Sequence, residues 1–388
     1  MNWSAVCGSY TAGALLYLFP EEFAKQKKRL LKTLDCYIKG FTDDGLCLEG
    51  PLYWLYGFTA YSAFADLLYR YSGGKVDLFS CAKVRKVAAY GGSCLLKGNT
   101  AVSFSDADMS FLPDYSLQCY LTSRLPDEVP FVPPERLCFY DANTKWMNYY
   151  RAYLYSDYAV QTSQNASGEI YSPCAHQLII NKAAYSFAIK GGHNDEPHNH
   201  NDLGAFIYSD SDGQVFCDLG SGRYTKDYFD DKKRYGIFCN SSYGHSVPVI
   251  DKKAQASGKE FSASLKYKNG VALCDMTKAY KDENLVFLER KISLAENGVT
   301  LTDSFSFKKS TSVTERFISL RKATVKDGLL IFGNTYMRYS AEDAALSIKE
   351  EKHTPHEYDK EDITVYCYDF ILNEDVNEIV FEITTENN

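Results

Sequence analysis

The chain has 388 residues, 45% apolar and 24% charged, which is enough to bury two domain-sized cores. A formal net charge of −8 excludes a nucleic-acid binder held by counterion release, which needs a basic surface. It also excludes broad electrostatic capture of a polyanion, and no run approaches the ~20 apolar residues of a membrane-spanning helix.

The N-terminus, MNWSAVCGSYTAGALLYLF, is apolar without a basic leader, so no signal peptide is expected there. The 12 cysteines contain no CxxC pair or dense framework and read as free thiols. Both features favour the cytoplasm; a periplasmic or secreted location is expected only if the N-terminus is truncated. After Pro20, a favourable first-turn residue, Phe23, Leu30, Leu31, Leu34 and Ile38 form one helical stripe, closed by Gly40 and TDDG. An aromatic-rich helix follows from about Tyr53 to Tyr71, ended by SGG, and a less clear one spans roughly 78–97. Amphipathic helices joined by short turns suggest a helical hairpin stack or a toroid. RLPDEVPFVPPE then breaks the helical pattern with four prolines.

From about Tyr149 onward the chain reads as β. RAYLYSDYAVQTS, QLIINKAAYSFAIKGG, GAFIYSDSDGQVFCDLG, ENLVFLERKISLAENGVTLTDSFSF, GLLIFGNTYMRYS and ITVYCYDFIL alternate apolar and polar residues between DG, NG and SG turns. The expected class is α+β, multidomain: a helical domain over 1–125, a linker over 126–148 and a large antiparallel β-sandwich over 149–388.

Three of the seven histidines fall in GGHNDEPHNHNDLGAF: His193, His198 and His200. On an extended segment residues two apart point the same way, so His198 and His200 are expected to share one face. They could ligate one metal together, or supply one ligand and one acid–base group. Asp218 in FCDLGSGRY and His245 in SSYGHSVPVID offer further ligands; two histidines and a carboxylate form a common Zn²⁺ set. His176, His353 and His356 lack such company.

The stretch KGGHNDEPHNHNDLGAFIY, with GQVFCDLGSGRYTKDYFDDKKRYGIFCNSSYGHSVPVIDKKAQASGKEFSA, resembles the sandwich core of the heparinase II/III-like polysaccharide lyases, which include related alginate lyases. NWSAVCGSYTAGAL and DDGLCLEGPLYWLYG are similar to the last part of that family's α/α toroid. The resemblance implies a partial N-terminal toroid before the sandwich, with several toroid helices absent upstream of Asn2. It implies a mainly structural metal, Zn²⁺, on His200, Asp218 and His245, and a catalytic role for His198. It also implies a catalytic asparagine and a tyrosine about fifty residues later, best matched by Asn2 and Tyr56. Tyr53, in the same EGPLYWLY motif, competes with Tyr56 and is otherwise a substrate contact.

These residue types suit β-elimination on a uronate. The C5 proton is weakly acidic, and the carboxylate beside it opposes further negative charge. An amide such as Asn2 can hydrogen-bond that carboxylate. A tyrosine can act as base when its pKa is depressed and then protonate the leaving oxygen, while a histidine can take the proton from the other face. Arg223, Arg234 and Tyr224 are candidates for pairing with substrate carboxylates, a salt bridge within the sandwich being the alternative for the arginines. Glu196 is expected to orient His198 or to be a solvated turn acid.

The expected partner is an acidic poly- or oligosaccharide, with a homodimer as an option and neither nucleic acid nor membrane. Two other functions fit the same residues: a metal-dependent glycan hydrolase and a non-catalytic carbohydrate-binding or scaffold protein.

Overall fold

The computed structural model describes residues 2–139, 168–356, 361–374 and 376–386. The described residues form two compact units, 2–95 with 111–139, and 96–110 with those from 168 onward. Residues 96–110, inside the stretch expected to be helical, thus belong with the strands.

In the first unit, α1 (Asn2–Leu18) packs against α2 (Pro20–Ile38) and α3 (Pro51–Tyr71). Pro20 and Pro51 occupy first-turn positions, where the missing N–H has no intrahelical partner to lose. α2 buries Phe23, Leu34, Tyr37 and Ile38 as one stripe, whereas α3 is buried over more of its circumference, including Trp54, Phe58, Tyr61, Phe64 and Leu68. Only Ala82–Ser93 of the third expected helix is α-helical (α4), after a 3₁₀ turn at Leu78–Ser80. α5 (Tyr115–Arg124) is an additional helix, capped by the Asp114 side chain, which accepts from Leu117 N at 2.7 Å. The proline-rich stretch is packed: Leu125, Val129, Val132 and Leu137 are buried, and Gln118 Nε2 donates to Pro130 O at 2.8 Å.

The second unit is built from antiparallel sheets. A nine-stranded sheet runs, in spatial order, Thr324–Lys326, Leu329–Phe332, Thr335–Tyr339, Glu378–Thr385, Gly298–Phe307, Leu285–Leu294, Val271–Asp275, Gly258–Lys268, Gly192–Asn194. A four-stranded sheet orders Ala344–His353, Ile363–Leu372, Val313–Ser319 and Pro248–Ile250. A five-stranded sheet runs Glu169–Ser172, Gln177–Asn181, Ser186–Lys190, Phe206–Asp210, Gly213–Phe216. Rings from these sheets interlock in one core: Phe317 lies 5.3 Å from Phe206 and 4.6 Å from Phe381, centroid to centroid.

Burial explains the two kinds of strand sequence. Glu378–Thr385 alternates exposed and buried along its length, as a half-covered strand must. Ser186–Lys190 and Phe206–Asp210 are buried at every position and lose that alternation. Part of the five-stranded sheet's cover is the 96–110 segment: Lys97 N donates to Ser186 Oγ at 3.0 Å, and Gln214 Nε2 to Ala101 O at 2.9 Å. The strand expected within RAYLYSDYAVQTS lies outside the described residues.

All twelve cysteines are free thiols, and among the described residues no helix is long and apolar enough to cross a membrane.

Candidate metal centre and its shared carboxylate

The histidine motif sits where the chain changes sheets. Ser186–Lys190 belongs to the five-stranded sheet, and Gly192–Asn194, only two residues on, pairs with Gly258–Lys268 of the nine-stranded one. Residues 195–205 form the loop that returns to the strand Phe206–Asp210. His198 is therefore not on extended backbone as expected; it has φ +59°, in the left-handed region. Strand alternation does not relate these two side chains.

A carboxylate that the sequence reading did not single out brings them together. Asp106 Oδ2 lies 2.7 Å from His198 Nδ1, and Asp106 Oδ1 lies 3.0 Å from His200 Nε2. Oδ1 also accepts from the Tyr228 hydroxyl and, at 3.1 Å, from Arg234 Nη2. Asp106 is fully buried at the tip of a tight turn, SFSDADMS, closed by Ala101 N donating to Met109 O at 2.9 Å. The turn is stitched to the ligand loop: Ser103 Oγ donates to Asp218 O at 2.8 Å, and Ser221 N to Ala107 O at 3.0 Å. Gly220, at φ +62°, lets these backbones approach; a Cβ there would stand 2.1 Å from Ala107 O. Burial pushes the Asp106 carboxyl upward, but its bonds from His198 and His200, with the charges of His200 and Arg234, hold it well below the usual carboxylate range.

His200, Asp218 and His245 are all buried, and one ligand atom from each lies within 4.8 Å of the others. With Nε2 turned to Asp106, His200 keeps Nδ1, which is buried without a hydrogen-bond partner. His245 Nε2 faces the Cys239 carbonyl at 2.7 Å and so donates, leaving Nδ1 3.1 Å from Asp218 Oδ2. Without a cation, that contact requires a protonated ring. Burial disfavours both charges, yet Asp218 holds His245 above its ordinary pKa and His245 holds Asp218 below its own. An orphaned imidazole nitrogen, a second imidazole nitrogen and a carboxylate oxygen converging on one point could hold a metal ion. The Asp106 and Cys239 contacts fix the two rings from outside, as partners of ligating histidines do.

The loops carrying the ligands are fixed by buried polar contacts. Lys190 Nζ pairs with Asp202 Oδ1 at 2.8 Å, Asn201 N donates to Asn240 O at 2.9 Å, and Ser242 Oγ to Asn201 O at 2.6 Å. Arg290 Nη1 donates to Gly204 O at 2.8 Å and to Ser246 O at 2.7 Å, while the rest of its guanidinium pairs with Asp303 and Glu315.

The other expected site residues are placed as follows. The Arg234 guanidinium is engaged by Asp106 and by the Asn199 and Tyr228 carbonyls, so it meets an internal carboxylate in place of a substrate's. Arg223 is exposed. Tyr224 makes tilted or edge-on ring contacts with Tyr228, Phe229 and His356. Glu196 does not orient His198 through Nδ1, which Asp106 takes. Its own Oε1 accepts from His193 N at 3.4 Å, and burial pushes its carboxyl up to about 7, against the pull of Lys190. His353, read as unremarkable, is buried with Nε2 unpartnered; burial and the charge of nearby His200 lower its pKa to about 4.

In the helical unit, Asn2 Nδ2 donates to Glu49 Oε2 at 3.1 Å, and Trp3 meets the Tyr56 ring edge-on at 6.2 Å. A Cβ on Gly57 would lie 2.5 Å from Asn2 Oδ1 and 2.6 Å from the Tyr37 hydroxyl, so the absent side chain lets the start of α1 settle beside Tyr56. Tyr56 is 44% exposed, while Tyr53 is half-buried.

No family model matches the chain, and no curated protein matches it in sequence. Solved structures do share its fold. A heparinase III gene product superposes with a TM-score of 0.71 over 98% of this chain at 15% identity. The heparan sulfate lyase HepC from Pedobacter heparinus gives 0.70 over 99% at 14%, and the chondroitin AC lyase of Streptomyces coelicolor A3 gives 0.59 over 98% at 9%. The matched regions amount to 59%, 59% and 60% of those chains, so this chain spans about three fifths of their length. The chain therefore has the helical-toroid and β-sandwich fold of heparinase-type lyases, with a partial toroid.

Proposed function

We propose that this chain is a polysaccharide lyase acting on uronate-containing glycans by β-elimination. The observation that carries the reading is His198, held by a buried carboxylate that also holds His200, next to the buried His200, Asp218 and His245 set in a heparinase-like fold. On this reading His198 removes the C5 proton, the C–H electrons form the C4=C5 double bond, and the C4–O4 bond breaks. The proposed acid for O4 is Tyr56, whose hydroxyl proton passes to the departing oxygen. Asn2 is proposed to hydrogen-bond the uronate carboxylate as charge builds beside it.

Zn²⁺ is the ion proposed for His200, Asp218 and His245, because two imidazole nitrogens with one carboxylate oxygen suit it. When bound, it supplies positive charge and a rigid anchor for the histidine loop. Arg223 and Tyr224 are proposed as substrate contacts, from their position shortly after the ligand Asp218.

The test is mass spectrometry of the products from heparan sulfate, chondroitin sulfate and alginate oligosaccharides incubated with the zinc-loaded protein. Elimination leaves fragments one water lighter than hydrolysis does. Fragments carrying that water would reject the lyase in favour of a glycan hydrolase.

A further inference from the structure

We infer that Asp106 is a positioning residue that fixes the tautomer of His198, holding its proton on Nδ1 and its lone pair on Nε2. Four donors converge on this one carboxylate: His200 Nε2, Arg234 Nη2 and the Tyr228 hydroxyl on Oδ1, and His198 Nδ1 alone on Oδ2. Paired with the Arg234 guanidinium and accepting from the Tyr228 hydroxyl, Asp106 is an ionised carboxylate, which only accepts and has no proton to give. The His198 nitrogen facing Oδ2 at 2.7 Å must therefore be the protonated one. In the neutral ring the lone pair then lies on Nε2, and the basic nitrogen is settled before any substrate arrives.

The distribution of donors gives the inference a direction. Asp106→Asn replaces one oxygen with an NH2 group of nearly the same shape. Three donors require an acceptor at the Oδ1 position and only one at Oδ2, so the amide oxygen takes the Oδ1 place and the NH2 group faces His198. Nδ1 must then accept, the ring proton moves to Nε2, and the base at that nitrogen disappears. His200 keeps its acceptor, so the metal set is undisturbed.

The tautomer is read by long-range ¹H–¹⁵N NMR on zinc-loaded protein labelled with ¹⁵N-histidine, with His198 assigned from the His198→Gln spectrum. The expected result is a protonated, pyrrole-type Nδ1 in the native protein and a pyrrole-type Nε2 in Asp106→Asn. A pyrrole-type Nε2 in the native protein overturns the inference without reference to any variant, and so does an unchanged tautomer in folded Asp106→Asn. The kinetic part rests on the lyase reading. Turnover should fall about 10³- to 10⁴-fold in Asp106→Asn while zinc content is retained, as when an orienting carboxylate is lost and the imidazole takes the wrong tautomer. Turnover within tenfold of native also overturns the inference. If the native protein turns over no uronate glycan, the lyase reading fails while the spectrum still decides the tautomer.

Discussion

His198 and His200, two residues apart in a loop, bind the two different oxygens of one buried carboxylate: Nδ1 of the first lies on Asp106 Oδ2, Nε2 of the second on Oδ1. The ring proposed for catalysis and the ring proposed for metal binding are thus oriented by the same group, contributed by a turn 92 residues upstream of His198.

Metal removal should destabilise the sandwich unit. With free Zn²⁺ a thousandfold above its Kd, binding stabilises the fold by about 4 kcal/mol, or roughly 10 °C in Tm for a unit of this size. Scanning calorimetry should show that loss after chelation and its recovery on adding Zn²⁺. Asp218→Ala should have the lower Tm from the outset and no response to Zn²⁺.

Glu196 should give stability a falling pH dependence. Its folded carboxyl keeps its proton up to about pH 7, whereas the unfolded one releases it near 4.5. The folded state therefore binds more protons between these values, and this group's contribution to stability drops as pH rises through the window, by about 3 kcal/mol in all. Because buried His353, held down to about 4, shifts stability the opposite way in both proteins, the readout is their difference: between pH 5 and pH 7.5 in urea unfolding, Glu196→Gln should gain about 2 kcal/mol relative to the native protein.

Arg290→Met should cost about 3–5 kcal/mol, because it strands Asp303 and Glu315 as buried carboxyls without their cation. It also frees the carbonyls of Gly204 and Ser246, which flank the ligand loops. Urea midpoints should record the loss, and zinc affinity measured with a competing chelator should weaken alongside it.

Gly57→Ala should disturb Asn2 together with Tyr37. The new methyl would press on Asn2 Oδ1 and the Tyr37 hydroxyl, an overpacking cost of about 1–3 kcal/mol that outweighs the ~1 kcal/mol helix-propensity gain of alanine. Turnover should fall by more than the change in Tm would suggest, since the displaced amide is the one proposed to meet the uronate carboxylate. Parallel measurements of Tm and turnover check this.

Much of the architecture was legible in the sequence because burial leaves a period. The stripe of α2 and the alternation in the outer strands follow directly from one buried face. α5 was not legible: Ser116 through Thr122 are all buried, so no polar face marks the helix, and only the Asp114 cap hinted at it. The histidine cluster was legible from its density, but the reason offered for it, strand alternation, does not hold at a positive-φ His198. Asp106 escaped because a lone acid in a polar turn looks the same in sequence whether it faces water or four donors. What distinguishes it is the long-range stitching of 103–107 to 218–221, which no local pattern encodes.

The most direct test of the central claim is the ultraviolet absorbance of the C4=C5 double bond during incubation with uronate glycans. The account predicts a rise with at least one of heparan sulfate, chondroitin sulfate or alginate. His198→Ala should abolish that rise. Tyr56→Phe, at an exposed position where stability should change by no more than about 0.5 kcal/mol, should slow it about 10²- to 10⁴-fold. No rise with any of these glycans, or a rise that survives His198→Ala unchanged, would contradict it.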